Sequence, residues 1–393
     1  MQEVVGFLFL ALGGIFIVRL TRRFPQLRNP LIAAFLIRAA FALIHRYVWP
    51  LPDSQADAIG FELTAANWAQ QGFPGVLREF RTGAWLYSWV VAIFYSFFGR
   101  SPLMAQAINV TLGSLIVYNV FRVTEMLWGS HYARRSAWCT ALFPTLVLYS
   151  AITMREVMIV FPLTLGVLYF VRWLREDCIF SFLKALVMFS ISVAFHTGIL
   201  PVFCVVGLEA LRRIFDALAL GKGQALAKRM GILCLLVFVV FVIFTTGWGL
   251  EKAGRLLKGG SFVEVLAVQQ RIAARGRAAY LYDFHPHSFF DLLFHVPIRI
   301  VYFLFMPFPW VVSSPIDLFG LTIAGLNFTL TVFFLRSLLV IWKRKESRWI
   351  FWMLSVLLVT FALSTSNYGT AIRHSAKLVP IAMTIVRIPR VKL

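Results

Sequence analysis

The sequence predicts an all-α, polytopic integral membrane protein, a bundle of about ten to eleven spanning helices of about 20 residues each. Two observations predict it. Of the 393 residues, 60 % are hydrophobic and 14 % charged, with a mean hydropathy of +0.80. A soluble domain is about half apolar and a quarter charged, and an apolar fraction this large leaves too little polar surface to cover a core. The charge that remains punctuates the apolar runs. The 38 Lys and Arg gather in short caps: Arg19, Arg22, Arg23 and Arg28; Arg122, Arg134 and Arg135; Arg172, Arg175 and Lys184; Arg212, Arg213, Lys222, Lys228 and Arg229; Lys343, Arg344, Lys345 and Arg348. This is the positive-inside pattern. The net charge of +21 is therefore read as membrane topology rather than as a nucleic-acid surface.

The elements follow in order. Val4–Val18 has no basic n-region and no small-residue cleavage site, and is expected to remain as a helix. Clear spans are Leu31–Trp49, Leu103–Phe121, Ala137–Ser150 with a short extension, Val157–Val171, Gly231–Trp248, Pro315–Ile341 and Trp349–Thr365, with Ser375–Ile388 weaker. Phe180–Leu211 is too long for one straight crossing, and His196-Thr197-Gly198 divides it into two short helices. Ala84–Phe98 is apolar, but a crossing there would put Arg122, Arg134 and Arg135 outside, so it is expected to lie along the outer leaflet. Leu292–Phe308 holds Pro297, with Pro307 and Pro309 at its end, which break helices, and reads as a second non-crossing segment. Cys139, Cys178, Cys204 and Cys234 form no CxxC pair and read as small hydrophobes.

The expected organisation is an N-terminal transmembrane module (1–250) with an external loop at 50–102, a basic external loop (251–290), and a C-terminal transmembrane module (291–393). The basic loop carries Lys252, Arg255, Lys258, Arg271, Arg275 and Arg277 on the outer side. Long loops escape the charge rule, and such a loop also suits anionic lipid or a phosphate-bearing ligand. Within it, Ser261–Ala279 is helical in pattern, with Phe262, Val265, Leu266 and Ile272 able to share a face, as in an interfacial helix.

The residues that could carry chemistry lie on the expected outer side. Asp53 and Asp57 follow a membrane helix and are four apart, so they share a face if helical. They suit a solvated helix cap or a general base for a lipid-bound substrate. Arg155 and Glu156 sit at the outer end of a helix pair, where neither can face lipid cheaply. His196 interrupts an apolar run and reads either as a packed histidine or as a substrate contact. His285 and His287, near Asp283 and Asp291, make a weak metal pattern without a tight third ligand. Between two apolar runs, "STSNYGTAIRHSAKLVP" places Asn367, Tyr368, Arg373, His374 and Lys377. Arg373 and Lys377 are four apart and suit a lipid phosphate, or the element is simply a capped helix start. No Walker A, GxGxxG or GxSxG pattern is present, so a group transfer must use a donor already activated and already in the membrane.

Here the chain resembles the GT-C superfamily of integral membrane glycosyltransferases. The family pattern D…Y…A……G reads Asp57, Phe61, Ala65 and Gly72, with Phe61 in place of Tyr. "WLYSWVVAIFYSFFGRS" supplies Tyr87, Tyr95, Gly99 and Ser101, and "ALFPTLVLYSAITMREV" supplies Pro144, Ser150 and Arg155. The C-terminal "NYGTAIRHSAKLVP" is similar to an element of exopolysaccharide and O-antigen assembly proteins. The resemblance covers about residues 31–210 and this last element. It implies an inverting enzyme of the bacterial inner membrane with its site facing the periplasm or exterior. Its donor would be a polyprenyl-phosphate-linked sugar, and its acceptor a lipid-linked glycan, lipopolysaccharide, cell-wall glycan or protein. Asp57 or Asp53 would take the acceptor proton. Arg373, with Arg155 or a basic residue such as Arg271 or Arg275, would stabilise the leaving phosphate. Glu156, His196, His285, Asn367, Tyr368, His374 and Lys377 are further candidate substrate contacts. No organic cofactor is implied, and acidic groups meeting a phosphate leave room for a divalent cation. A polysaccharide polymerase would use similar groups. A transporter or flippase fits less well, since no internal repeat is seen and the ionisable residues gather on one side.

Overall fold

The structure, a computed structural model, describes residues 2–221, 223–245, 262–274, 276–284 and 286–388. It is helical throughout; among the described residues the one β pairing is an isolated antiparallel bridge between Ala279 and Asn367. Among the described residues six helices are long and apolar enough to cross a membrane, which makes the chain a multi-pass membrane protein by the length and composition of its helices. The chain divides into two compact units. One comprises Met1–Leu168, Ala194–His196 and Val379–Leu393, the other Tyr169–Val193 and Thr197–Leu378.

The first unit is built around α6 (Pro102–Trp128), against which α1 (Gln2–Arg23), α2 (Arg28–Tyr47), α7 (Ser130–Leu142) and α8 (Pro144–Ala151) pack. The local sequence sets the limits of α6. Ser101 caps it by accepting from Met104 N at 3.2 Å, Pro102 opens it, and Gly129 (φ 86°) closes it; proline at the first position and a left-handed glycine past the end are the expected asymmetry. Small residues let the helices approach, as lipid-embedded packing requires. A Cβ on Gly6 would lie 2.6 Å from Leu103 Cβ, and one on Gly13 would lie 2.3 Å from Thr111 Oγ1. The core between α2, α6 and α7 is Leu31, Ala34, Ala107, Val110, Val117, Ala137 and Ala141, all buried.

The expected span Ala137–Ser150 is in fact two pieces. Phe143 is extended (ψ 119°) because it precedes Pro144, and α7 stops there; a residue before proline is disfavoured in the helical region. The freed carbonyls are taken up by Arg38 of α2, which is fully buried and donates to Ala141 O at 2.8 Å and Thr140 O at 3.3 Å, and also to Ser150 Oγ. Irregular backbone at membrane depth needs such partners. Gly113 of α6 makes room for this arrangement, since a Cβ there would meet Ser150 Oγ at 2.1 Å and Ser150 Cβ at 2.7 Å. Gly113→Ala is therefore expected to destabilise the protein by about 1–3 kcal/mol, the usual range for overpacking. Thermal unfolding in detergent measures this, and Ser150→Gly in the same chain should restore part of the loss.

Between α2 and α6 come α3 (Asp57–Ala69), α4 (Gly72–Arg78) and α5 (Leu86–Phe98). With 13 residues, α5 is about 20 Å long against a hydrocarbon core of about 30 Å. It packs on α3: Ser88 Oγ donates to Phe61 O at 2.9 Å, and the Phe61 and Tyr87 rings lie 5.9 Å apart. This fits the expectation that the segment does not cross. With native cysteines replaced, labels at Gln55 and Ser130, both exposed, should react from opposite sides; reaction from the same side would mean that α5 spans.

The second unit holds α10 (Ile179–Phe195, to Val193), α11 (Val202–Ala219), α12 (Gly223–Thr245), α13 (Phe262–Ala273), α14 (Phe289–Phe305), α15 (Pro315–Lys343), α16 (Lys345–Ser364) and the first half of α17 (Tyr368–Ile385). The division of Phe180–Leu211 into two helices near His196 is as expected. Two expectations are corrected. Pro297 does not break α14, which runs through it to Phe305. On α13 the packed face is Val263, Leu266, Ala267 and Gln270, and Ile272 is exposed; α13 lies against α16. Ten to eleven spans exceed the six found among the described residues, because other expected spans fall on the α7–α8 break or on shorter helices such as the 17-residue α10.

Candidate functional site

In the first unit, α3 and the turn before it lie against the connection between α8 and α9 (Glu156–Glu176) at three points. Tyr149 OH donates to Asp53 Oδ2 at 3.1 Å, Thr153 Oγ1 donates to Ala58 O at 3.0 Å, and the Arg155 guanidinium lies 6.0 Å from the Phe61 ring centre. Asp53 and Asp57 are thus brought beside the segment that carries Arg155 and Glu156. The connection itself is fixed from α6. Gln106 donates to Ala151 O at 2.6 Å, and Asn109 donates to Ile152 O at 2.8 Å and Met154 O at 3.0 Å.

The turn that carries Asp53 is strained. Asp53 has φ 59° and Ala56 has φ 47° with ψ −98°. Aspartate visits the left-handed region with modest cost, but alanine rarely does, and such residues gather where a backbone is held for function. Leu51 N donates to His45 Nδ1 at 3.2 Å and helps hold the turn. Asp57 opens α3 and is exposed, while Asp53 is half-buried. Glu156 opens α9 and is buried. Arg155 Nη1 donates to Phe195 O at 3.3 Å, next to the half-buried His196. Asp53, Asp57, Arg155, Glu156 and His196 therefore all belong to the first unit.

Sequence reasoning missed the groups that hold this module together. Glu62 on α3, almost buried, accepts from Arg100 Nε at 2.9 Å and Nη2 at 2.7 Å and from Tyr95 OH at 3.0 Å. The Glu62 carboxylate holds the Arg100 pKa above its ordinary value. Burial pushes the Tyr87 and Tyr95 phenols up, and Glu62 adds to this at both; Tyr95 OH donates to Glu62, while Tyr87 OH accepts from Asn109 Nδ2 at 3.2 Å. An acid five residues past Asp57 on an otherwise apolar stretch was the available signal, as was Arg38 within an apolar run.

Asn367, Tyr368, Arg373, His374, Lys377 and Arg271 lie in the second unit. Asn367 Oδ1 accepts from Thr370 N at 3.2 Å, which caps α17. Tyr368 OH donates to Asp317 Oδ1 at 2.8 Å, and Asp317 also receives both Nη atoms of Arg277 at 2.6 and 2.9 Å. Arg373 is half-buried, one turn before the fully buried Lys377. The His374 ring lies 4.8 Å from that of Phe361, tilted by 55°, and the Phe361 ring also faces Lys377 at 5.7 Å. Arg271 is exposed at the end of α13. Arg299 of α14 is buried and donates to Gln270 Oε1, Phe284 O, Ser366 Oγ and Thr365 O, closing the α16–α17 break as Arg38 closes the α7–α8 break. Arg275, His285 and the 252–258 cations lie outside the described residues. Among the described residues no group of three His, Cys, Asp or Glu side chains could hold a metal ion.

A comparison with models of known protein families and one with curated proteins each find no match for this chain.

Proposed function

We propose that the protein is a membrane glycosyltransferase, moving one sugar from a polyprenyl-phosphate-linked donor to a glycan, lipid or protein acceptor on the external face of a bacterial inner membrane. The observation that carries this reading is the convergence, in the first unit, of a strained turn bearing Asp53 with the fixed segment bearing Arg155 and Glu156. A carboxylate held on a rigid frame beside an arginine is what a single displacement at a phosphate-activated sugar needs.

In this reading Asp53 removes the proton of an acceptor hydroxyl. The hydroxyl oxygen attacks the anomeric carbon, the bond from that carbon to the phosphate oxygen breaks, and polyprenyl phosphate leaves with the electron pair. The sugar inverts. Arg155 stabilises the charge that grows on the departing phosphate. Asp53 is preferred to Asp57 as base because its turn and its Tyr149 hydrogen bond fix its position. Asp57, exposed at the start of α3, orients the acceptor. Arg373 and Lys377 are proposed as further phosphate contacts on the strength of the resemblance alone.

Deleting the gene tests the reading. Cells should accumulate a polyprenyl-phosphate monosaccharide together with acceptor lacking one sugar, and a copy carrying Asp53→Asn should not clear either. Accumulation of unjoined diphosphate-linked repeat units would instead make the protein a polymerase, and unchanged lipid-linked sugars would end both readings.

A further inference from the structure

The cations that cap the apolar runs of the second unit meet at a cavity that the sugar-transfer reading does not use. It has a volume of about 350 Å³ and is lined by Arg212, Trp342, Lys345, Arg348, Trp349 and Trp352. Arg212 comes from α11, Trp342 from the last turn of α15, and the other four from the first two turns of α16. Its size falls in the range of small-ligand sites. Its lining is three cations and three indoles, with no carboxylate.

The acids nearby are already shared. Glu209 is buried and accepts from Arg212 Nε at 2.7 Å, Arg213 Nε at 2.7 Å and Lys345 Nζ at 2.8 Å. Asp216 takes Arg212 Nη1 at 2.6 Å, and Asp177 takes Arg213. With those acids assigned, the exposed Arg348 guanidinium is left over; among the described residues it has no acidic partner. Lys343 and Arg344, also exposed, precede it on the same turn of chain. The first turn of α16 adds backbone N–H groups and the positive end of its dipole, which favour an anion. Trp342 and Trp352 are 45 % and 46 % exposed. Indoles prefer the headgroup level of a bilayer, with the ring among the upper acyl carbons. Cations above and indoles at the rim are complementary to a molecule with an anionic head and an apolar tail, and basic pockets between spanning helices at the cytoplasmic side bind anionic headgroups.

We propose that this cavity binds the phosphodiester headgroup of an anionic phospholipid from the leaflet that the basic caps face. The site is independent of sugar transfer, and its failure would leave that reading untouched. The test is native mass spectrometry of the purified full-length protein offered phosphatidylglycerol and phosphatidylcholine in equal amounts. Phosphatidylglycerol should be retained about fivefold or more over phosphatidylcholine, the worth of roughly one well-placed surface cation. Arg348→Gln should remove that preference and Arg348→Lys should keep most of it. Millimolar inorganic phosphate should not displace the lipid. Quenching of the wild-type indoles needs no variant: acyl-brominated phosphatidylglycerol should quench at a lower mole fraction than brominated phosphatidylcholine. Equal retention of the two lipids, equal quenching, or an unaltered preference in a folded Arg348→Gln protein would overturn the proposal. Displacement by inorganic phosphate would overturn it too, in favour of a soluble anion.

Discussion

Asp53→Asn is expected to lower sugar transfer on the order of 10²-fold or more, the usual contribution of a general base, with the protein still folded and inserted. The substitution keeps the shape, and the amide oxygen can still accept from Tyr149 OH, which lies 3.1 Å from the carboxylate. Loss of turnover would then report lost basicity rather than a lost turn. Asp57→Asn should act more weakly, on acceptor KM more than on kcat, because Asp57 is exposed at a helix start. Tyr149→Phe separates positioning from chemistry. It removes the Tyr149 hydrogen bond to the Asp53 carboxylate but leaves its charge, and should cost about tenfold, the scale of one lost hydrogen bond of about 1.4 kcal/mol. The measurement is single-turnover transfer by purified protein in nanodiscs. Near-normal transfer by both aspartate variants would remove the base assignment and raise the polymerase reading.

The fold class was legible because it rests on quantities that a bilayer imposes directly. Apolar run length and basic caps located α1, α2, α6, α9, α15 and α16 but not all their ends: α6 runs on to Trp128 rather than Phe121, and α9 to Glu176 rather than Val171. The break at His196 was legible for the same reason, since the run was too long for one helix. The α7–α8 break was less so. Pro144 signals a break, but a broken helix inside lipid requires partners for its carbonyls. Those come from Arg38, about a hundred residues earlier in the chain, and one sequence carries no record of such pairing. The sequence also misled at Pro297. Proline is tolerated within membrane helices where neighbours take up the freed group, so its presence alone does not end α14.

The candidate site was legible as residue types, not as geometry. The residues of the glycosyltransferase-like pattern have structural work in this chain. Phe61 packs on Tyr87 and Trp85, Tyr95 reaches Glu62, Gly99 takes φ 79°, and Ser101 caps α6. In this chain the pattern marks how α3, α5 and the start of α6 are braced. In the proposed reading the chemistry would fall to the charged groups that the brace presents, and fold likeness alone would not assign it. Asn367 makes the same point in reverse: a residue chosen as a substrate contact has its carbonyl oxygen engaged in capping α17.

Arg155→Ala is expected to lower kcat/KM for the donor by about 10²–10³-fold, the range for removing one preorganised stabiliser of developing charge. Arg155 follows directly on backbone that Asn109 and Thr153 fix at residues 152–154. Its guanidinium is held by Phe195 O at 3.3 Å and faces the Phe61 ring. Lysine keeps the charge but offers a point contact where arginine offers two parallel hydrogen bonds. Arg155→Lys should therefore fall between wild type and alanine, at about tenfold below wild type. The competing account is that Arg155 only braces the α10 terminus through Phe195. In that case both variants would unfold at lower temperature, and the folded fraction would turn over normally. The two accounts separate on the donor. A phosphate-stabilising arginine changes donor kcat and KM and leaves acceptor KM nearly constant, whereas a brace changes the melting temperature and neither kinetic constant. Unchanged donor kinetics in folded Arg155→Ala protein would take this residue out of the site.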